Sequence, residues 1–206
     1  MEISLITPGR QATLTRRIRL LVAATIAFNV VEAVVAISAG AAAGSTALIG
    51  FGLDSVIEVS SAAAVAWQFS GRDPQAREKA ALRVIAVSFF ALAAYVTAES
   101  ARALITGHEA GHSTAGIVLA AVSLAVMPGL SCAQRRAGRE LGSRTAVADS
   151  KQTLLCTYLS AVLLVGLVLN ATLGWHWADP VAALVIAAVA VREGREAWRG
   201  DACACC

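Results

Sequence analysis

This chain carries little charge. Only 15% of its 206 residues are Asp, Glu, Lys or Arg, where a soluble globular domain carries about 25%. With 57% hydrophobic residues and a mean hydropathy of +0.67, an ordinary soluble domain is excluded. A glycine-rich nucleotide loop and a paired nucleophile and base are also missing, so neither an ATP-driven pump nor an enzyme is expected. No secretory leader is read at the basic N-terminus, because the apolar stretch that follows is too long and contains Asn29 and Glu32. The cysteines number five: Cys132, Cys156, Cys203, Cys205 and Cys206. An odd count, concentrated in the tail, argues against a disulfide framework.

The apolar residues are gathered into six stretches near 18–38, 46–69, 81–103, 113–133, 149–171 and 177–196. Each is long enough for a transmembrane helix, which needs roughly 17–25 mostly apolar residues. The expected fold is an all-α membrane protein, a six-helix transmembrane bundle with both termini cytoplasmic. The orientation comes from the basic residues. Arg10, Arg16, Arg17 and Arg19 precede the first stretch, and Arg72, Arg77 and Lys79 fill the 2–3 connector, with Arg83 just beyond. Arg135, Arg136, Arg139 and Arg144 fill the 4–5 connector, Lys151 follows, and Arg192, Arg195 and Arg199 close the chain. The connectors near 39–45, 104–112 and 172–176 hold no Lys or Arg, and only Arg102 lies near that side. That alternation is the positive-inside pattern. The net charge of +3 therefore reports topology, and no nucleic-acid partner is expected. Small-residue runs at 40–43 and 62–64 suit close helix approach in lipid, and Pro128 predicts a kink in the fourth helix.

Carboxylates inside hydrocarbon are expensive and default to functional candidates. Asp54 and Glu58 lie several residues inside the second stretch at i, i+4, on one helix face. Two carboxylates so close bind a cation or hold a proton between them. In the fifth stretch, ADSKQTLLCTYLS, Gln152 and Cys156 repeat the spacing, with Asp149 and Ser160 continuing the stripe. Together the four make a candidate tetrahedral site for a metal, and the thiolate favours zinc or cadmium over magnesium. Simpler readings stand beside this one: an interhelical hydrogen bond for Gln152 and plain packing for Cys156. Asn29 reads as an interhelical hydrogen bond, Glu99 as a partner of Arg102, and Glu32 as lining for a water-filled path. His108, Glu109 and His112 form an outer-loop cluster that is either a weak exit site or solvated. His176 lies beside Trp175 and Trp177 at the interface. The tail thiols Cys203, Cys205 and Cys206 suit a thiophilic metal or are simply free.

The stretch GSTALIGFGLDSVIEVSSAAA resembles the second helix of cation diffusion facilitators, which carries D-x-x-x-D; here the second acid is Glu58. GWHWADPVAALVIAAVAVREG resembles that family's sixth helix, with Asp179-Pro180 at its start. The resemblance covers about 20–200. It implies a dimeric secondary transporter in the cell membrane that exports zinc, cadmium, cobalt, iron or manganese, commonly against protons. The metal is cargo and no cofactor is implied. The family's H-x-x-x-D pair of the fifth helix falls on Gln152 and Cys156, or on Thr153 and Thr157 when counted back from GWH. The resemblance also implies a soluble cytoplasmic domain after the sixth helix. Here only a short cysteine tail follows, which is expected to take over metal capture. The expected division is a cytoplasmic segment 1–17, a transmembrane domain 18–198 and a tail 199–206. Two other classes use the same residues: a non-transporting metal sensor or partner subunit, and a thiol-handling protein working through Cys156 and the tail.

Overall fold

A computed structural model describes residues 8–69, 74–107, 109–141 and 144–199, excepting the side chains of 8, 11, 64–69, 74–79, 81, 144–149, 151 and 152. Six helices make up the bundle: α1 (Pro8–Ala43), α2 (Thr46–Phe69), α3 (Pro74–Thr106), α4 (Thr114–Leu141), α5 (Arg144–Leu173) and α6 (Ala178–Arg199). No strand occurs among the described residues. The fold is an all-α membrane bundle.

Several helices outrun their apolar stretches at the basic end. α1 has 36 residues, about 54 Å at 1.5 Å per residue, against a hydrocarbon core of about 30 Å. α3 starts at Pro74, α4 ends at Leu141 and α5 starts at Arg144. Hydropathy marks only the lipid-embedded part of a helix. Arg, Gln, Glu and Ala are good helix formers in water and carry the helices onward. Pro8 and Pro74 occupy first helical positions, where the missing N–H costs nothing. α4 continues as one helix through Pro128.

Five helices are long and apolar enough to cross a bilayer among the described residues, and α6 is the exception. Arg192, Glu193 and Arg195 interrupt its last third. The apolar run between Asp179 and Arg192 is about 18 Å long at 1.5 Å per residue.

α2 is the central helix, packing against α1, α3, α5 and α6. The remaining seams are α4 with α5, α3 with α6, α1 with α4 and α5 with α6. Gly52 makes the α1–α2 approach possible: a Cβ there would meet Ile37 Cγ1 at 2.8 Å and the Ala36 Cβ at 2.9 Å. At the end away from the basic connectors, α1, α3 and α5 each stop at a glycine with φ near +65°, Gly44, Gly107 and Gly174. That left-handed cap turns the chain sharply. α2 then begins under a cap contributed partly by α6. Ser45 Oγ accepts the Leu48 N–H at 3.1 Å and donates to Asp179 Oδ1, while Asp179 Oδ2 accepts the Thr46 N–H at 3.0 Å. A carboxylate against a helix N-terminus is favourable on both hydrogen-bond and dipole grounds. This docks α6 onto α2 and accounts for the Asp179-Pro180 pair at the head of α6.

Candidate cation site

The antiparallel run of α1 against α2 brings their polar residues together in rungs. Asn29 Nδ2 donates to Glu58 Oε2 at 2.5 Å. One helical turn further along α1, Glu32 meets Ser55, whose Oγ donates to Glu32 Oε2 at 2.7 Å. Ser123 of α4 donates to the other oxygen, Oε1, and Cys156 of α5 lies 3.6 Å from Oε2. Glu32 is fully buried, at 0% exposure, and four helices meet on it. Asp54 is buried beside this group, within electrostatic reach of Glu32 and of Glu193 on α6. Cys156 is within electrostatic reach of Glu58 and Asp54 as well as Glu32.

Toward the basic end the polar column continues. Gln134 of α4 donates to Thr25 Oγ1 at 3.1 Å and accepts from Thr153 Oγ1 at 3.2 Å, linking α1, α4 and α5. Ser131 donates to the Ser150 carbonyl at 2.6 Å. A cavity of about 20 Å³ opens on this side, with Thr25, Asn29, Glu58 and Thr153 among its lining residues. Such a volume admits one water or one small ion. Asn29 Oδ1 is buried with no hydrogen-bond partner. At the other end the column stops against a tight apolar layer including Ala36, Leu48, Phe51, Val96, Leu163 and Ile186.

Of the residues singled out from the sequence, Asp54, Glu58 and Cys156 are all buried in this region. The side chains of Gln152 and Asp149, and Cys203, Cys205, Cys206 and His108, lie outside the described residues. The two alternatives for α5 each contribute one residue: Thr153 lines the cavity and Cys156 meets Glu32, three positions apart on one face. Thr157 donates to the Thr153 carbonyl of its own helix. Glu99 does pair with Arg102, at 2.7 Å. In the outer loop Glu109 faces His176 across 3.6 Å, and His112 is exposed. Among the described residues, no three of His, Cys, Asp and Glu converge closely enough to hold a metal ion as they stand. Glu32 is engaged by two hydroxyls and Glu58 by an amide.

Sequence reasoning gives Glu32 too little weight. Its partners Ser55, Ser123 and Cys156 lie 23, 91 and 124 positions away, so its central position is tertiary information. The available signal is Asn29 and Glu32 at i, i+3, a polar pair on one face of an otherwise apolar helix.

Chemically, the arrangement concentrates three carboxylates and a thiol in the bundle interior, while no Lys or Arg is buried among the described residues. Such a site calls for a cation or protons. None of the curated proteins compared with the chain matches it. The model of the cation efflux transmembrane domain matches residues 22–199, which covers all six helices apart from the start of α1; the chain belongs to this family of membrane cation transporters.

Proposed function

We propose that the protein exports a divalent transition-metal cation from the cytoplasm in exchange for protons, with zinc or cadmium as the preferred cargo. The observation that carries this reading is the burial of Glu32, Asp54 and Glu58 in the same interior as the Cys156 thiol. Oxygen ligands with one sulfur suit a borderline cation better than magnesium or calcium. In this reading the cargo enters from the basic end, past Thr25 and Gln134. It loses water to Asp54, Glu58 and Cys156, with Gln152 contributing, and leaves through the opposite end as the apolar layer parts. Protons then take the carboxylates on the return step.

Metal ligands must be deprotonated, so cargo affinity falls as pH falls and recovers as it rises. The same competition lets an imposed proton gradient drive export. Residues 18–198 form the transport domain in this reading, with 1–17 and the thiols of 199–206 on the cytoplasmic side, the latter capturing metal. The working form is a homodimer in the cell membrane.

The test is zinc and cadmium flux into proteoliposomes under an imposed pH gradient. It compares wild type, Asp54→Ala and Cys156→Ser, with folding checked for each. Flux that needs Asp54, with a zinc-to-cadmium preference that moves in Cys156→Ser, supports the proposal. Absence of flux from folded, correctly inserted wild type for every divalent metal tried would overturn it in favour of a sensor or partner subunit.

A further inference from the structure

We propose that the first helix completes the cation site, with the Glu32 carboxylate and the Asn29 amide oxygen binding the transported divalent cation directly. The inference rests on the transport reading above and adds two ligands from α1 to those of α2 and α5.

Three observations carry it. The first is register. Asn29 bonds to Glu58 and Glu32 to Ser55, the neighbour of Asp54. Glu32 also lies within electrostatic reach of Asp54, so each acid of α2 has a polar group of α1 nearby. An ion held by Glu58 has the Asn29 amide beside it.

The second is the company Glu32 keeps. Its contacts are the hydroxyls of Ser55 and Ser123 and the Cys156 thiol, all neutral groups. Hydroxyls rotate at little cost and switch from donor to acceptor. They can release a carboxylate oxygen to a cation without backbone movement. An ion pair with a buried Lys or Arg would have tied Glu32 to a structural role, and no buried Lys or Arg occurs among the described residues.

The third is Asn29. Its side chain is 3% exposed, and its Nδ2 holds Glu58 while Oδ1 is buried with no partner. A buried amide oxygen left unbonded is costly and favours capture of a ligand. Asn29 lines the 20 Å³ cavity together with Glu58 and Thr153. An uncharged oxygen donor there lowers the cost of stripping water from an arriving cation. A fourth carboxylate there would instead add to the mutual repulsion of the acids.

The experiment is calorimetric titration of zinc and cadmium into the purified full chain in lipid nanodiscs. It compares wild type with Asp54→Asn, Glu32→Gln and Asn29→Ala. Loss of an outer-shell partner typically costs about 10–100-fold in metal affinity. Glu32→Gln is expected to lose at least that much, close to the loss in Asp54→Asn, and Asn29→Ala about tenfold. Wild-type affinity in Glu32→Gln, with affinity lost in Asp54→Asn, overturns the inference and leaves the transport reading standing. No binding by folded wild type removes both.

A second measurement needs no variant. Anomalous scattering from zinc-soaked wild-type crystals should place the ion within about 2.0–2.2 Å of a Glu32 oxygen. An ion bound at Asp54 with Glu32 still on its serines would contradict the proposal.

Discussion

The two halves of this bundle are built from the same six helices and obey different rules. Toward the basic connectors the interior holds Thr25, Asn29, Gln134, Ser150 and Thr153, and a cavity. Toward the other end the same helices present Ala36, Leu48, Phe51, Leu163 and Ile186, packed to near-zero exposure. Glu32, Asp54 and Cys156 sit where one regime gives way to the other. In lipid the hydrophobic effect does not hold helices together, so close packing and hydrogen bonds must. The layer of Ala36, Leu48, Phe51, Leu163 and Ile186 uses the first, with the Ser45–Asp179 cap at its outer edge, and the polar half uses the second. A polar half can exchange partners with an ion or with water, and a packed half can only open or shut. That asymmetry is what a one-sided path to a central site requires.

Breaking the packed half should have the largest structural effect. Phe51→Ala removes a fully buried ring from the apolar layer and is expected to cost about 3–5 kcal/mol. The loss should be read as a lowered melting temperature in detergent together with passive cation leak through liposomes. Asp179→Ala attacks the same half through its cap. It strands the Ser45 hydroxyl and the Thr46 N–H at the head of α2, and hydrogen bonds to a charged group are worth about 1.5–3 kcal/mol each. A drop of about 2–3 kcal/mol is expected, with amide exchange rising first in residues 46–48.

Gly52→Ala tests the seam between the halves. Its Cβ collides with α1 at Ile37 and Ala36, and overpacking costs about 1–3 kcal/mol. Cargo affinity should fall in parallel, since the shift separates Asn29 from Glu58. In the polar half, Gln134→Ala should cost only about 1 kcal/mol and change transport rate more than stability. The smallest effect belongs to Arg10→Ala. Its pairing with Glu140 is exposed, with 65% of the Arg10 side chain accessible, and such pairs are worth about 0–1 kcal/mol.

The polar half is harder to read from the sequence than the apolar one. Asp54 and Glu58 announce themselves, because the cost of two acids at i, i+4 in an apolar run is seldom met without an ion or proton to bind. Glu32 does not, since its role depends on three partners from three other helices. The α5 register stays open in the sequence because both choices assume an i, i+4 pair. Among the described side chains of α5, Thr153 and Cys156, at i, i+3, face the same interior. Helix number and order follow from hydropathy, but helix ends do not. The basic ends of α1, α3, α4 and α5 stay helical in water, where hydropathy carries no signal. The sequence reading counts 177–196 as a sixth apolar stretch, yet α6 is not long and apolar enough to cross a bilayer, because its charges begin at Arg192. The Asp179-Pro180 pair is visible as a motif, yet its work at the head of α2 is a contact across 133 positions.

The most direct test of a central site open to each side in turn is exchange of radiolabelled zinc against unlabelled zinc across proteoliposomes held at one pH on both sides. A carrier of this kind exchanges without any driving gradient. A sensor or a partner subunit does not. Alternating access through the acidic site predicts saturable exchange by wild type that is abolished in Asp54→Asn. Exchange no faster than in liposomes lacking the protein, or undiminished by Asp54→Asn, would contradict it.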